Sequence, residues 1–261
     1  MLTEVIFPLM KANDLVSILC NIATNVKTVY AWGMFGSPIT KLIVTGKAKQ
    51  YPSWYTDAKI NGVFAPLYGR TPTAWGFDCI GLIKAVLWGW EGDIGKSYGG
   101  AVYASNGVPD VTADTMIGRC SDVSTNFNNI SIGEFLWMKG HCGIYIGNGQ
   151  VVESTPAWEN GVQITALKAR NWLKHGKLPW VEYSVKEVKN TVSIELNVLQ
   201  KGSKGKQVKT LQRLLNSFGH NLDVDGSFGS LTQSALKSYQ KTYGLEVDGI
   251  CGSQSWKSLL K

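Results

Sequence analysis

One cysteine of this chain stands at the start of an amphipathic segment. Cys79 follows Gly76-Phe77-Asp78 and precedes apolar residues that recur at helical spacing as far as Trp90. The unpaired N–H groups and the dipole of a helix N-terminus favour a thiolate over a thiol, and the thiolate is the form that attacks carbonyl carbons. A buried, inert cysteine is the commoner interpretation of such a residue alone, so the role of Cys79 depends on its partners.

A histidine and a glutamate lie on two predicted strands that meet at Gly147-Asn148-Gly149. A two-residue loop would place His141 and Glu153 on opposite faces of this hairpin. An odd loop of three residues, 147–149, places them on one face and diagonal to each other. A cysteine nucleophile needs a base and a third group that orients the base. We therefore expect the odd loop and a triad of Cys79, His141 and Glu153, with Cys142 on the opposite face in the core.

These motifs together resemble the NlpC/P60 family of cell-wall cysteine peptidases. The resemblance covers about residues 20–185. It is carried by the stretch from Phe77 to Leu82, by His141-x-Gly-Ile-Tyr-Ile-Gly-Asn-Gly with a polar residue twelve after the histidine, and by Tyr30-Ala31-Trp32-Gly33. It implies an α+β, papain-like domain in which Cys79 is the nucleophile, His141 the base and Glu153 the third member. The resemblance further implies a substrate site lined by Tyr30, Trp32, Asp78, Ile80 and Gly143.

The sequence departs from the family pattern in three places. Ile80 stands where serine is usual, and Glu153 stands where histidine is commoner. Residues 34–73 form an insertion between residues 30–33, here called the tyrosine element, and residues 77–82, here called the cysteine motif. This insertion is rich in aromatic residues. We expect the insertion both to cover the core and to form a wall of the substrate cleft.

The C-terminal part contains a repeat. Residues 222–229, with Val-Asp-Gly-x-x-Gly at their centre, return 23 residues later as residues 245–252. Helical patterns cover 205–218, 232–243 and 253–260, and each Asp-Gly predicts a turn, with the following serine or threonine capping the next helix. The spacing does not match a calcium loop. The segment resembles the three-helix peptidoglycan-binding domain of wall hydrolases. The predicted organisation is a catalytic domain at 1–187, a linker at 188–195 and a wall-binding domain at 196–261.

Composition restricts the partners of the chain. The net charge is +7, with an excess of +3 before residue 190 and +4 after it, which suits an anionic wall polymer. We expect peptidoglycan as partner and no nucleic acid, because no recognition motif accompanies the charge. We expect no cofactor, no metal, no membrane insertion and a monomer. The five scattered cysteines and the lack of a signal-peptide pattern predict synthesis in a reducing host cytoplasm before action on the wall.

The leading hypothesis is an endolysin-type peptidoglycan hydrolase that cleaves an amide in the peptide moiety, of the D-glutamyl–diamino acid type. Three alternatives remain open at this stage. One is an amidase that cuts between muramic acid and the first alanine, and another is a wall-binding protein without catalysis. The last is a cysteine-dependent acyltransferase, which shares the nucleophile and differs in the acceptor.

Overall fold

The structure is a computed structural model that describes residues 9–183 and 196–260. The predicted linker at 188–195 lies outside these residues. The first described part combines helices with strands that pair mostly in antiparallel fashion, and the second contains three helices. This arrangement confirms the predicted α+β fold class, with a small helical domain after a mixed one.

The mixed domain begins with a two-residue strand and a long helix and continues through short strands to the cysteine helix. In chain order its elements are β1 (Met10–Lys11), α1 (Ala12–Asn25), β2 (Thr28–Tyr30), β3 (Phe35–Pro38), α2 (Lys41–Gln50), α3 (Asp57–Lys59), β4 (Trp75–Phe77), α4 (Cys79–Leu87), α5 (Ala113–Met116), β5 (Ser121–Ser124), β6 (Phe135–Met138), β7 (His141–Gly147), β8 (Gln150–Thr155), β9 (Gly161–Ala166), β10 (Lys174–Lys177) and β11 (Val181–Glu182).

A six-stranded antiparallel sheet, in the order β5-β10-β6-β7-β8-β9, is the centre of this domain. Helices α1 and α4 bury their apolar stripes in the main core, together with strand residues such as Ile144 and Val152. A second, smaller cluster contains Leu136, Val151 and Trp172. Because side chains alternate along a strand, neighbouring residues of β7 contribute to opposite faces of this sheet.

The hairpin of β7 and β8 reaches the predicted pairing by an unexpected route. Its turn has only two residues, Asn148 and Gly149, both with positive φ as a type I′ turn requires. The register shifts by one residue between Tyr145 and Gly147, which is a β-bulge. The bulge restores the register that a three-residue loop would have produced, so Glu153 lies on the face of His141. The predicted face is right, and the odd residue lies in the strand instead of the loop.

The insertion at 34–73 has a core of its own. Val44, Tyr55 and Phe64 are buried in a cluster with Val29 and Met34, which flank the tyrosine element. A three-stranded sheet in the order β2-β4-β3 connects this cluster to the cysteine helix, because Tyr30 pairs with Phe77 just before Cys79. The insertion therefore supports the strand that leads into the proposed site.

The C-terminal helices are α6 (Lys206–Ser217), α7 (Ser230–Thr242) and α8 (Ser253–Leu259). They lie where the helical patterns predict them, around a core that includes Leu211, Leu236 and Trp256. The Asp-Gly turns are also present, with positive φ at Gly226 and Gly249. The predicted side-chain caps are wrong. The N-caps of α7 and α8 are Gly229 and Gly252, and neither has a side-chain cap.

The two turns of the repeat are held by the same buried network. Gln212 donates to Asp225 (2.8 Å) and accepts from the backbone N–H of Gly226 (2.9 Å). In the second copy, Gln240 donates to Asp248 (2.7 Å) and accepts from Gly249 (2.9 Å). Each glutamine therefore satisfies the backbone of a turn that its helix covers, which accounts for the recurrence of the sequence.

No helix among residues 9–183 and 196–260 has the length and apolar character needed to span a membrane.

Candidate active site

Cys79 begins α4, and the residues around it hold the helix N-terminus in place. The Asp78 carboxylate accepts from the backbone N–H groups of Gly81 (2.5 Å) and Gly33 (2.8 Å). Gly81 has no room for a side chain, because a Cβ there would lie 2.1 Å from the carbonyl oxygen of Met34. The Asp-Cys-x-Gly pattern is thus a local requirement for capping α4 and packing it close to the tyrosine element.

Asp78 has an unusual electrostatic environment. Burial and the neighbouring Cys79 raise the pKa of its carboxyl group to about 7, although the two N–H donors lower it. Tyr30 is buried beside the same thiol, and burial together with Cys79 raises the pKa of its hydroxyl group. Both residues therefore lie next to the Cys79 thiol.

His141 and Glu153 form the ion pair that the hairpin register allows. His141 Nε2 lies 2.6 Å from Glu153 Oε2, and Glu153 is fully buried. Gly143 faces Glu153 across the strands, and its ideal Cβ would lie 3.4 Å from the glutamate Cβ. Because this position has no side chain, Glu153 can reach along the diagonal to the histidine.

Two further residues donate hydrogen bonds to the two carboxylate oxygens of Glu153. Arg170 Nε donates to Glu153 Oε2 (2.6 Å), and Thr165 Oγ1 donates to Glu153 Oε1 (2.6 Å). Arg170 Nη2 also donates to Thr155 Oγ1 (2.8 Å). Burial raises the pKa of Glu153, but the contacts with His141, Thr165 and Arg170 outweigh it and hold the pKa below its usual value. The carboxylate is therefore ionised and fixed in orientation.

The thiol of Cys79 is surrounded by donors. The largest cause that lowers its pKa, well below the usual value, is the hydrogen bond from the Cys142 thiol. Burial opposes this effect, and contacts with His141 and the Ile80 backbone N–H support it. Cys142 lies in the core on the face opposite His141, as predicted, but this is the face on which α4 packs. Its thiol is therefore a partner of the Cys79 thiol as well as a core residue.

His141 bridges the thiol and the glutamate. Its Nε2 is taken by Glu153, which leaves Nδ1 for the contact with Cys79. Burial lowers the pKa of the ring, but the hydrogen bonds and charges of Cys79 and Glu153 outweigh burial and raise it. A lowered thiol pKa beside a raised imidazole pKa favours a thiolate–imidazolium pair, the reactive form of a cysteine nucleophile.

Comparison with known proteins places both parts of the chain. Residues 67–180 match the NlpC/P60 family, and residues 204–259 match the family described as "Putative peptidoglycan binding domain". The chain joins an NlpC/P60 domain to a peptidoglycan-binding domain.

Individual relatives match only parts of the chain. The N-acetylmuramoyl-L-alanine amidase CwlM of Mycobacterium tuberculosis is 50% identical over 56 residues, which are 21% of this chain and 14% of that protein. A spore cortex-lytic enzyme of Bacillus cereus is 37% identical over 76 residues, 29% of each protein. The solved structure of NlpC2 from Trichomonas vaginalis covers 64% of this chain and 46% of that one, at 13% identity and a TM-score of 0.36.

The remaining predicted site residues of the NlpC/P60 domain lie in different surroundings. Trp32 is 44% exposed, and its carbonyl oxygen accepts from Tyr55 Oη of the insertion (2.8 Å). Ile80 and Gly143 are buried, Ile80 in the main core and Gly143 inside the central sheet. Trp54 of the insertion packs against Tyr30, with ring centroids 5.9 Å apart. The insertion thus borders the exposed side of the tyrosine element.

Sequence reasoning missed four residues that contact the predicted triad of Cys79, His141 and Glu153. Arg170 and Thr165 bind Glu153, Cys142 binds Cys79, and the Trp172 ring stacks on His141 with centroids 5.7 Å apart. Arg170 and Trp172 follow the hairpin at no recognisable spacing, so no local signal identifies them. The part of the chain that the structure describes contains no cluster of side chains suited to hold a metal ion.

The peptidoglycan-binding domain contacts the NlpC/P60 domain through α6. Lys206 Nζ donates to the Val26 carbonyl and to Thr28 Oγ1 (3.2 Å), and burial lowers the pKa of this amine to about 8. Glu159, in the loop that follows Glu153 on the chain, pairs with Lys209 (2.8 Å) and Arg213 (3.1 Å). Helix α6 is therefore anchored on the loop that continues from the strand of the glutamate.

Proposed function

We propose that the protein hydrolyses an amide bond in the peptide moiety of bacterial peptidoglycan, as a D-glutamyl–diamino acid endopeptidase. The observation that carries this proposal is the connected set of Cys79, His141 and Glu153, with the thiol pKa lowered and the imidazole pKa raised. The choice of substrate rests on the NlpC/P60 and peptidoglycan-binding matches.

The proposed reaction starts from the thiolate–imidazolium pair. Cys79 Sγ attacks the amide carbonyl carbon, and negative charge develops on the oxygen near the N-terminus of α4, where the helix dipole favours it. The His141 imidazolium then donates its proton to the leaving amine nitrogen, the C–N bond breaks, and a thioester remains on Cys79. His141 next removes a proton from a water molecule, which attacks the thioester and releases the carboxylate and the thiolate.

Glu153 acts through the histidine in this scheme. Its carboxylate keeps the ring oriented toward Cys79 and stabilises the imidazolium. Arg170 and Thr165 in turn hold the carboxylate, because both of its oxygens are engaged within the protein. These residues are positioning residues, since none of them reaches the reacting atoms directly.

Cleavage between muramic acid and the first alanine is the second candidate, because CwlM of Mycobacterium tuberculosis and CwlL of Bacillus licheniformis are named N-acetylmuramoyl-L-alanine amidases. The first of these matches covers 21% of this chain and the second 24%. The same nucleophile and base could cleave either bond, so the reaction products distinguish the endopeptidase from the amidase. An endolysin role, in which the protein acts on the wall at host lysis, is part of the proposal.

Mass spectrometry of the material released from purified walls tests the proposal. Walls with diaminopimelate and walls with lysine are each incubated with the full chain and with Cys79→Ala. We expect a new amino group on the diamino acid and an alanyl-glutamate stem left on the glycan. Release of intact stem peptides would identify the amidase instead. Binding to both walls without any release by the wild-type chain would overturn the enzymatic proposal.

A further inference from the structure

A large cavity lies between the two domains, apart from the nucleophile. Its volume is about 1230 Å³, and its lining includes Trp158, Arg170 and Trp172 of the NlpC/P60 domain with Arg213, Leu214 and Phe218 of the peptidoglycan-binding domain. Ligand sites for small molecules occupy about 300–1,000 Å³, so this space holds a ligand of more than one sugar or amino acid unit. Cys79 is not part of the lining.

Aromatic side chains form exposed surfaces on both sides of the cavity. Trp158 is 57% exposed and Phe218 is 40% exposed. Trp158 also has a φ of 55°, a conformation that is strained for a bulky residue. Arg170 lies over its indole ring at 4.7 Å, and the neighbouring Glu159 is tied to α6. Strained residues that the surrounding structure holds in place are concentrated at ligand sites.

Two hydrogen-bond donors of the lining have no partner among the described residues. They are Trp172 Nε1, in a residue that is only 8% exposed, and Arg213 Nε. A buried donor without a partner destabilises the protein, and a ligand that offers carbonyl or hydroxyl oxygens removes this cost. The cavity therefore combines flat apolar faces with unsatisfied donors.

The cavity also adjoins the residues that support the triad. Trp172 stacks on His141, and Arg170 binds Glu153. A ligand in this space would contact the side chains that position the base. It would also contact α6 of the peptidoglycan-binding domain.

We propose that the interdomain cavity binds a segment of the glycan strand of peptidoglycan, held between Trp158 and Phe218. The inference rests on the proposed function for the choice of polymer. A pyranose ring has an apolar face that suits an aromatic side chain, and its acetamido and hydroxyl groups offer the acceptors that the unpaired donors lack. A stem peptide lacks such flat apolar faces. The glycan would thus bridge both domains while its peptide extends toward Cys79.

Titration calorimetry with peptide-free glycan strands tests the site without any chemistry. The full-length Cys79→Ala chain is the parent, and Trp158→Ala and Phe218→Ala are added to it separately. We expect each to weaken glycan binding by about tenfold, as loss of a central aromatic contact does. Leu231→Ala is the matched control, because Leu231 is 78% exposed on α7 and lies outside the lining. It should bind like the parent.

The outcomes separate this inference from the proposed function. Parent-like glycan affinity in both Trp158→Ala and Phe218→Ala, with unchanged thermal unfolding, overturns the glycan site. Binding of the free stem peptide that these two variants weaken, without glycan binding, overturns it in favour of a peptide site. Glycan binding that depends on both residues, in a protein whose wild-type form releases nothing from walls, keeps this site and refutes the hydrolase. Protection of residues 156–170 and 213–218 from hydrogen exchange provides a second readout.

Discussion

Two histidine–glutamate pairs lie on the central sheet, and only one of them adjoins a thiol of lowered pKa. His141 pairs with Glu153 on the β7–β8 hairpin, and His175 of β10 pairs with Glu134 beside β6. In the second pair, Nδ1 faces the glutamate and Nε2 donates to the Asn126 carbonyl oxygen (3.1 Å). Both ring nitrogens of His175 are thus engaged within the protein, whereas one nitrogen of His141 faces Cys79.

The thiols near the two pairs differ as well. Cys120 lies near Glu134, and burial together with that carboxylate raises its pKa to about 12. Cys79 begins a helix and receives a hydrogen bond from Cys142, so its pKa is lowered. A histidine, a glutamate and a cysteine that lie close together are therefore not sufficient to lower the pKa of the thiol. Two features distinguish the proposed catalytic set from the pair of His175 and Glu134: the donors around the Cys79 sulfur, and the ring nitrogen of His141 that faces this sulfur.

The largest expected effect is a loss of hydrolysis rate that distinguishes Cys79 from Cys120. Cys79→Ala removes the nucleophile and should lower the rate of wall hydrolysis by about 10⁵–10⁶-fold, with wall binding intact. Cys120→Ala, the matched change beside the other pair, should keep the wild-type rate. Turbidity clearance and pull-down with purified walls measure the two properties. Clearance by Cys79→Ala at the wild-type rate would refute the role of this thiol.

The second contrast concerns the two pairs themselves. His141→Ala should lower the rate by about 10⁴-fold, because the proton transfers to the amine and from water are lost. Glu153→Gln should be milder, about 10²-fold, since the amide still accepts from the ring. His175→Ala should instead lower the free energy of unfolding by about 1–3 kcal/mol through the unpaired Glu134, with kcat unchanged. Denaturant titration and assay of soluble muropeptides measure both. Equal kcat losses in His141→Ala and His175→Ala would contradict the distinction.

The pH profile of kcat/KM sharpens the same contrast. Activity should rise with pH through the lowered pKa of Cys79 and fall through the raised pKa of His141, since both the thiolate and the imidazolium are required. Cys142→Ala removes a donor to the thiolate, so it should raise the pKa of Cys79 and move the acidic limb to higher pH. Glu153→Gln removes stabilisation of the imidazolium and should move the basic limb to lower pH. Unmoved limbs in both variants would exclude these partners as the cause.

The smallest expected effect on catalysis lies in the peptidoglycan-binding domain. Gln240→Ala leaves Asp248 and the Gly249 N–H without their buried partner and should lower the free energy of unfolding of this domain by about 1–3 kcal/mol. Hydrolysis of small soluble muropeptides should not change, because the network does not touch the triad. Calorimetric unfolding of the full chain and the soluble assay measure the two effects. A loss of soluble activity equal to that of Glu153→Gln would show that the domains are coupled in catalysis.

The insertion and the repeat show which structural features the sequence patterns predict and which they do not. Helical periodicity predicts α6 to α8 within a few residues, because one apolar face of each helix must be buried. The caps of α7 and α8 were mispredicted, since glycines occupy the N-cap positions and the nearby Thr232 hydroxyl accepts from Gln212. The double role of the insertion stays a prediction, although its aromatic residues pack where a cleft wall is expected.

The sequence by itself determined the α+β class, and it predicted a two-part organisation in which Cys79, His141 and Glu153 lie close together. It did so because helix and strand periods decide which side chains share a face. Only the tertiary structure decided that a β-bulge sets the hairpin register, that Arg170 holds Glu153 and that Cys142 lies against Cys79. These contacts join residues that are 17 to 63 positions apart in the chain. They depend on how α4 and the segment after β9 pack on the sheet, which no local pattern encodes.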